Sequence, residues 1–321
     1  MAPSRLSSAC LCIAGAATDN LLMNAANWGT PPDLPDTLCY LNGEFTALRD
    51  ARVSVLDRGF IFGDGVYEVL PCYATRPFRF EQHMARLDRS LAELRIANPL
   101  PRAEWASVAQ HLSQSLRDTQ GAVNQLIYIQ VTRGVAVRDH AMPAGLMPTV
   151  FVMASEMKLA TPEQREHGVA CVTADDFRWE KAHIKSTSLL GAVFARQISV
   201  DAGAVETVMF RGEHLSEAAS SNVWVVKNGV VMGPPKDNLV LEGIRFGLIE
   251  EICRAQGLRF ELRPITRAEV LDADELLLSS ATKEVLPVTR LDGQPVGQGR
   301  PGLTYTRLYA GYQHAVAALT A

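Results

Sequence analysis

Along the chain, apolar residues recur first with a period of about two, then with a period near 3.6, and the alternation predicts two successive α+β units. CYLNGEF (39–45) reads as two short strands joined by the Asn42-Gly43 turn, a pair suited to positive φ at both turn positions. Within 81–96, Met84, Leu87, Leu91 and Leu94 stand three and four residues apart, predicting an amphipathic helix, and 103–116 predicts a weaker one. The runs LIYIQVT (126–132) and TVFVMA (149–154) are apolar and β-branched, as buried strands require. A polar stretch at 155–167 carrying Pro162 reads as a crossover. Beyond it come predicted strands at 169–173, 206–210, 222–226, 260–263 and 275–279, helices near 189–202 and 243–256, and a second hairpin signal at Asn228-Gly229. These limits give domains at 37–156 and 157–321, with a cleft between them as the expected ligand site.

Residues 1–36 end in the proline-rich GTPPDLP and read as a flexible extension. Arg5 followed by ACLCIAGAA (9–17) also imitates a short signal peptide; in the extension reading, translation begins near Met23. With 321 residues, 47% of them hydrophobic and 21% charged, the chain has material for a sizeable core. A formal net charge of -4 with mixed signs excludes a nucleic-acid or polybasic membrane binder, and no apolar run is long enough to span a bilayer. The six cysteines lack CxxC spacing, which points to reduced thiols, no metal site and a cytoplasmic location.

Four clusters carry candidate chemistry. Lys185, in HIKST (183–187), stands after a predicted strand and before an apolar helix; flanked by Ile184 and Leu189, it would be partly desolvated, as an imine-forming amine requires. Glu217, in EAASSN (217–222), offers a carboxylate where a strand opens. RGFIFGDGVYEV (58–69) has Gly59, Gly63 and Gly65 for tight backbone turns and Tyr67 to project a hydroxyl; its spacing is not that of a dinucleotide fingerprint. In RGVAVRDH (133–140), Arg138 and His140 would point the same way on an extended segment, a two-donor grip for a carboxylate. Taken singly, each reads equally well as a solvated lysine, a loop glutamate, a flexible turn or a charged surface loop.

Order and spacing change that. LDRGFIFGDGVYEV (56–69), EQHMARL (81–87), VTRGVAVRDH (131–140), HIKSTSLLGAVFARQ (183–197), LSEAASSNVWVVKNG (215–229) and SSATKEVLPV (279–288) together resemble the class IV, fold type IV, pyridoxal-phosphate-dependent aminotransferases. The resemblance runs from about 39 to 302 and lies nearest the D-amino-acid transaminases. It implies a two-domain subunit, with a small N-terminal α/β domain and a larger, barrel-like C-terminal one, the cofactor pyridoxal 5′-phosphate in the interdomain cleft, and a homodimer.

It further implies that Lys185 is the Schiff-base lysine, that Glu217 pairs with the pyridine nitrogen, and that Arg86 binds phosphate. Gly243 and Ile244 form the phosphate cup, Ser280 and its neighbours close it, and Leu241 lies against the ring. Tyr67, Val69, Arg138 and His140 are the implied substrate contacts, the Arg138/His140 loop serving the neighbouring active site. Substrates are then an amino acid and a 2-oxo acid, exchanged by ping-pong kinetics. Branched-chain aminotransferases, (R)-amine transaminases and aminodeoxychorismate lyases share much of this set, and a non-catalytic cofactor-binding relative would keep the fold alone. Arg245 and Ala281 depart from the pattern by replacing hydroxyl residues, with Arg245 expected to add charge to the phosphate site; His183 replaces an acidic residue.

Overall fold

In the computed structural model of the protein, residues 36–320 are described; the expected extension and its competing signal-peptide reading lie, but for Asp36, outside this range. The first part of the chain runs β1 (Leu38–Leu41), β2 (Glu44–Ala47), α1 (Arg58–Phe62), β3 (Gly65–Tyr73), β4 (Arg76–Pro77), α2 (Phe80–Glu93), α3 (Arg102–Gln120), β5 (Gln125–Thr132) and β6 (Thr149–Glu156). Its strands form one antiparallel sheet in the order β2-β1-β6-β5-β3-β4. Asn42 and Gly43 take φ of 50° and 100°, as the turn between β1 and β2 demands. Met84, Leu87 and Leu91 of α2 are fully buried and pack on Leu70, Ile127 and Ile129 of the sheet, so the 3.6-residue pattern meets the two-residue one in a single core.

The rest comprises α4 (Pro162–His167), β7 (Val169–Asp175), α5 (Leu190–Asp201), β8 (Glu206–Arg211), β9 (His214–Ala218), β10 (Asn222–Lys227), β11 (Val230–Gly233), α6 (Ile244–Ala255), β12 (Arg259–Leu262), α7 (Arg267–Leu271), β13 (Glu275–Ser280), β14 (Glu284–Leu291), β15 (Gln294–Pro295) and α8 (Leu303–Thr320). A mixed sheet runs β12-β11-β10-β13-β14-β7-β8-β9, parallel where β7 joins β8 and β14 and where β11 joins β12. An apolar cluster joins Trp224 and Leu277 of this sheet to Phe246 and Ile249 of α6 and Tyr312 of α8, and takes in Tyr73 and Phe78 from the first part of the chain. Side chains from both sheets therefore share one core.

Two expectations change. The glycine-rich segment 58–69 is a one-turn helix, α1, followed by the long buried strand β3, because Val66, Glu68 and Leu70 alternate inward. The polar crossover contains α4, started by Pro162 and a capping box in which Thr161 and Gln164 bond each other's backbone amides.

Candidate active site

Lys185 does not follow a strand end directly. It sits in the second half of an irregular segment between β7 and α5, and β3 of the other sheet holds that segment in place. The Tyr67 amide donates to the Lys185 carbonyl at 2.9 Å, and the Thr187 amide donates to the Gly65 carbonyl at 2.9 Å. The Lys185 amide reaches Ser90 Oγ on α2 at 3.3 Å, while Ile184 is buried in the first core. Its amine is then the freest part of the residue: Nζ lies 4.0 Å from the centre of the Tyr67 ring and makes no ion pair or hydrogen bond with the described residues. Because β3 alternates, Tyr67 and Val69 face the same cavity as Lys185, whereas Glu68 points back toward α2.

On that far side, Glu68, fully buried, takes two bonds from Arg86 (Nε at 2.7 Å, Nη2 at 2.8 Å) and contacts His83 Nδ1 at 2.8 Å. Burial favours the neutral acid, but Arg86 and His83 outweigh it and hold the Glu68 carboxyl far below the ordinary carboxylate range. Burial pushes His83 down to about 4 against the pull of Glu68, so its imidazole is neutral at pH 7. The bonded carboxylate fixes the Arg86 fork, and Nη1 reaches the Glu242 carbonyl at 3.2 Å. The next residue, Gly243, precedes the first turn of α6, whose amides no side chain caps. A helix start with free amides, beside a guanidinium, is a site for an anion.

Gly243 has an ordinary φ of -65°, so its role is close approach: a Cβ there would lie 2.0 Å from Asn222 Oδ1. Asn222 Nδ2 in turn donates to the Leu241 carbonyl at 2.9 Å and toward Glu217 at 3.3 Å. Gly243→Ala is expected to push Asn222 off both partners and lower stability by about 2 kcal/mol, near the middle of the range for overpacking. Thermal denaturation checks this, and an unchanged melting temperature would show that the loop relaxes freely.

Glu217 closes β9 rather than opening the next strand. Burial pushes its carboxyl up to about 7, against the opposing pull of Arg178, whose Nη1 bonds Oε1 at 2.6 Å. The Leu241 amide donates to the other oxygen at 3.3 Å. Arg178 is itself gripped by Asp176 through Nε at 2.9 Å and Nη2 at 2.8 Å. Neither Arg178 nor Asp176 is apparent from the sequence pattern: both lie in the irregular segment after β7, where no periodicity marks a side chain as inward.

These groups line one cavity of about 1070 Å³, to which Tyr67, Val69, Arg86, Lys185, Glu217, Leu241, Gly243, Ile244, Arg245, Ser280 and Ala281 all contribute. The family model described as Amino-transferase class IV matches residues 65–291, a span that contains the cavity's lysine, carboxylate and arginine. The chain is a class IV aminotransferase. A D-alanine aminotransferase of Bacillus licheniformis is 37% identical over 280 residues, covering 87% of this chain and 97% of that protein. Among solved structures, the branched-chain amino acid aminotransferase of Escherichia coli superposes with a TM-score of 0.78 at 24% identity, over 87% of this chain and 94% of that one. A fold IV transaminase from Curtobacterium pusillum gives 0.72 at 24% identity, over 87% and 93%. The fold is therefore the two-sheet α+β architecture of fold type IV.

Two predicted residues of this aminotransferase stand apart from the rest. Arg138 and His140 are exposed, lie on an irregular loop and do not line the cavity of their own chain. They do not share a strand face; they share a neighbour, with the Arg138 guanidinium 5.4 Å and the His140 ring 5.3 Å from the centre of the Phe62 ring, which itself borders the cavity. The Arg245 guanidinium turns away from α6 toward Tyr312 Oη (3.1 Å) and His83 Nε2 (3.4 Å). His183 is half-buried, 3.7 Å from Glu93 at the end of α2; nothing in the structure explains why it replaces an acidic residue.

Proposed function

We propose that this aminotransferase moves the amino group of a D-amino acid of the D-alanine type to a 2-oxo acid of the 2-oxoglutarate type, using pyridoxal 5′-phosphate in the Lys185 cavity. The observation that carries the reading is the donor set of one cavity: an unengaged amine, a buried carboxylate, and an uncapped helix start beside a bonded guanidinium. That set fits a phosphorylated pyridine aldehyde. Arg86 and the amides of Ile244 and Arg245 would hold the phosphate, with the Ser280–Ala281 turn at its rim; Glu217 would face the ring nitrogen and Leu241 the ring. When bound, the cofactor supplies an aldehyde that links covalently to amines and a ring that accepts the negative charge of a deprotonated carbon.

The chain's own residues then do the rest. Arg178 and the Leu241 amide hold Glu217 in place, so the carboxylate needs no reorganisation to keep a ring nitrogen protonated. Nζ of Lys185, backed by the Tyr67 ring, takes the α-proton of the substrate and delivers it again as the general acid. Because one cavity serves donor and acceptor in turn, the kinetics are ping-pong.

Handedness rests on the relatives named D-alanine aminotransferase and on Arg138 and His140 as a carboxylate grip. In this reading the grip serves the partner subunit of a homodimer. Leu190, Val193 and Phe194 of α5, between 59% and 70% exposed, supply an apolar surface for such a partner. The fold likeness to a branched-chain enzyme favours the second reading, transfer from branched-chain L-amino acids. D-alanine with 2-oxoglutarate, followed by chiral analysis, separates them: D-glutamate is expected, and L-glutamate, or no product from D-alanine alongside turnover of L-leucine, would overturn the proposal.

A further inference from the structure

We infer that Arg245 supplies a buried, uncompensated positive charge at the phosphate end of the cavity, acting from behind the α6 N-terminus through its field and not by direct contact. The inference rests on the proposed cofactor and sharpens what holds its phosphate. Arg86 carries a charge, but Glu68 lies against it with two short bonds and cancels it. Glu242, beside the cup, is taken by Lys236 at 3.0 Å and Arg89 at 3.6 Å. Glu284, farther along the Tyr312–Tyr73 hydrogen-bonded chain, is taken by Arg165 at 2.6 Å.

Arg245 has no such counter-charge. It is 3% exposed, forms no ion pair among the described residues, and its Nε is buried without any partner. The groups facing it are the His83 ring, the Tyr312 hydroxyl and the Phe78 ring, whose centre lies 5.8 Å away. His83 is neutral there, with Nδ1 turned to Glu68 and Nε2 left to accept from Arg245. Of Glu68, His83, Arg86 and Arg245, the cluster therefore retains one net positive charge, and Arg245 is its source.

A buried, unpaired guanidinium is costly to a folded chain unless a ligand of opposite charge compensates it. The same side chain lines the cavity at the start of α6, where an anion is already favoured. A phosphate dianion there would meet the helix amides and lie in the field of a guanidinium whose charge has not been spent elsewhere. The hydroxyl lost at this position is thus replaced by a longer-range, stronger interaction in a low-dielectric setting.

The test is titration of the full-length chain with pyridoxal 5′-phosphate and with pyridoxal, followed by absorbance, for wild type, R245Q and R245K. Glutamine removes the charge and keeps an amide donor on a shorter stem; lysine keeps the charge. R245Q is expected to bind pyridoxal 5′-phosphate roughly tenfold to a hundredfold more weakly, to bind pyridoxal within about twofold of wild type, and R245K to recover most of the loss. Pyridoxal phosphate affinity unchanged in R245Q overturns the inference. So does an equal loss for both aldehydes, an R245K as weak as R245Q, or an R245Q chain that no longer folds, since each would make the role structural. If wild type binds neither aldehyde, the cofactor reading itself fails, and this inference with it.

Discussion

Replacing Lys185 by alanine is expected to lower turnover by at least about 10³-fold and to abolish the visible absorbance of a covalently held cofactor, with the fold intact. The fold survives because the side chain makes no hydrogen bond or ion pair with the described residues: what fixes this residue are its backbone bonds to Tyr67 and Ser90. Alanine keeps both. No neighbouring lysine is equipped to substitute. Lys283 is bound to buried Glu206 at 2.9 Å, Lys236 to Glu242 at 3.0 Å, and Lys181 is exposed and does not line the cavity. Absorbance spectroscopy with a circular dichroism control checks the prediction. A yellow K185A protein, its imine traced by borohydride reduction and peptide mapping to Lys181, would sink the assignment.

What could be read from the sequence follows a physical divide. Features written in local chemistry were legible: Asn228 and Gly229 adopt φ of 50° and 74°, and the helix expected at 243–256 is α6 with Gly243 and Gln256 as its caps. Features that depend on distant partners were not. The turn between β3 and β4 uses Ala74 and Thr75 at φ of 48° and 66°, residues that announce no left-handed turn; the pairing of Tyr73 with Arg76 imposes it. Likewise, α8 carries its apolar residues around most of its circumference, so the stripe that marks a surface helix is blurred.

The site divides the same way. Segment order singles out Lys185, Glu217 and Arg86, which the structure brings to one cavity, but not the residues that set their electrostatics. Glu68 sits inside the glycine-rich motif yet faces away from the cavity, and nothing in its spacing distinguishes it from Tyr67 or Val69. Arg178 stands 39 positions from Glu217, in a segment without period. For Arg138 and His140 the expected extended backbone is not what the chain adopts: the loop bends, and Phe62 gathers the two side chains instead.

Glu217→Gln is expected to reduce turnover on the order of 10²-fold to 10³-fold while leaving Lys185 able to link covalently to the cofactor. A neutral amide cannot keep a ring nitrogen protonated, so the loss should fall on kcat rather than on KM for the amino donor. A second readout concerns the cofactor-free protein, where no ring faces the carboxylate. Burial raises the Glu217 carboxyl from 4.5 to about 7, so the folded chain binds a proton that the unfolded chain has already released. Its contribution to stability is fully present below pH 4.5 and is lost as pH rises through about 7. Wild type should therefore lose melting temperature relative to E217Q over that window, and the two curves should run parallel above it. Parallel curves throughout would mean that Arg178 offsets burial and leaves Glu217 its ordinary titration; above pH 4.5 the carboxylate would then be ionised without the cofactor, already in the form that holds a protonated ring nitrogen.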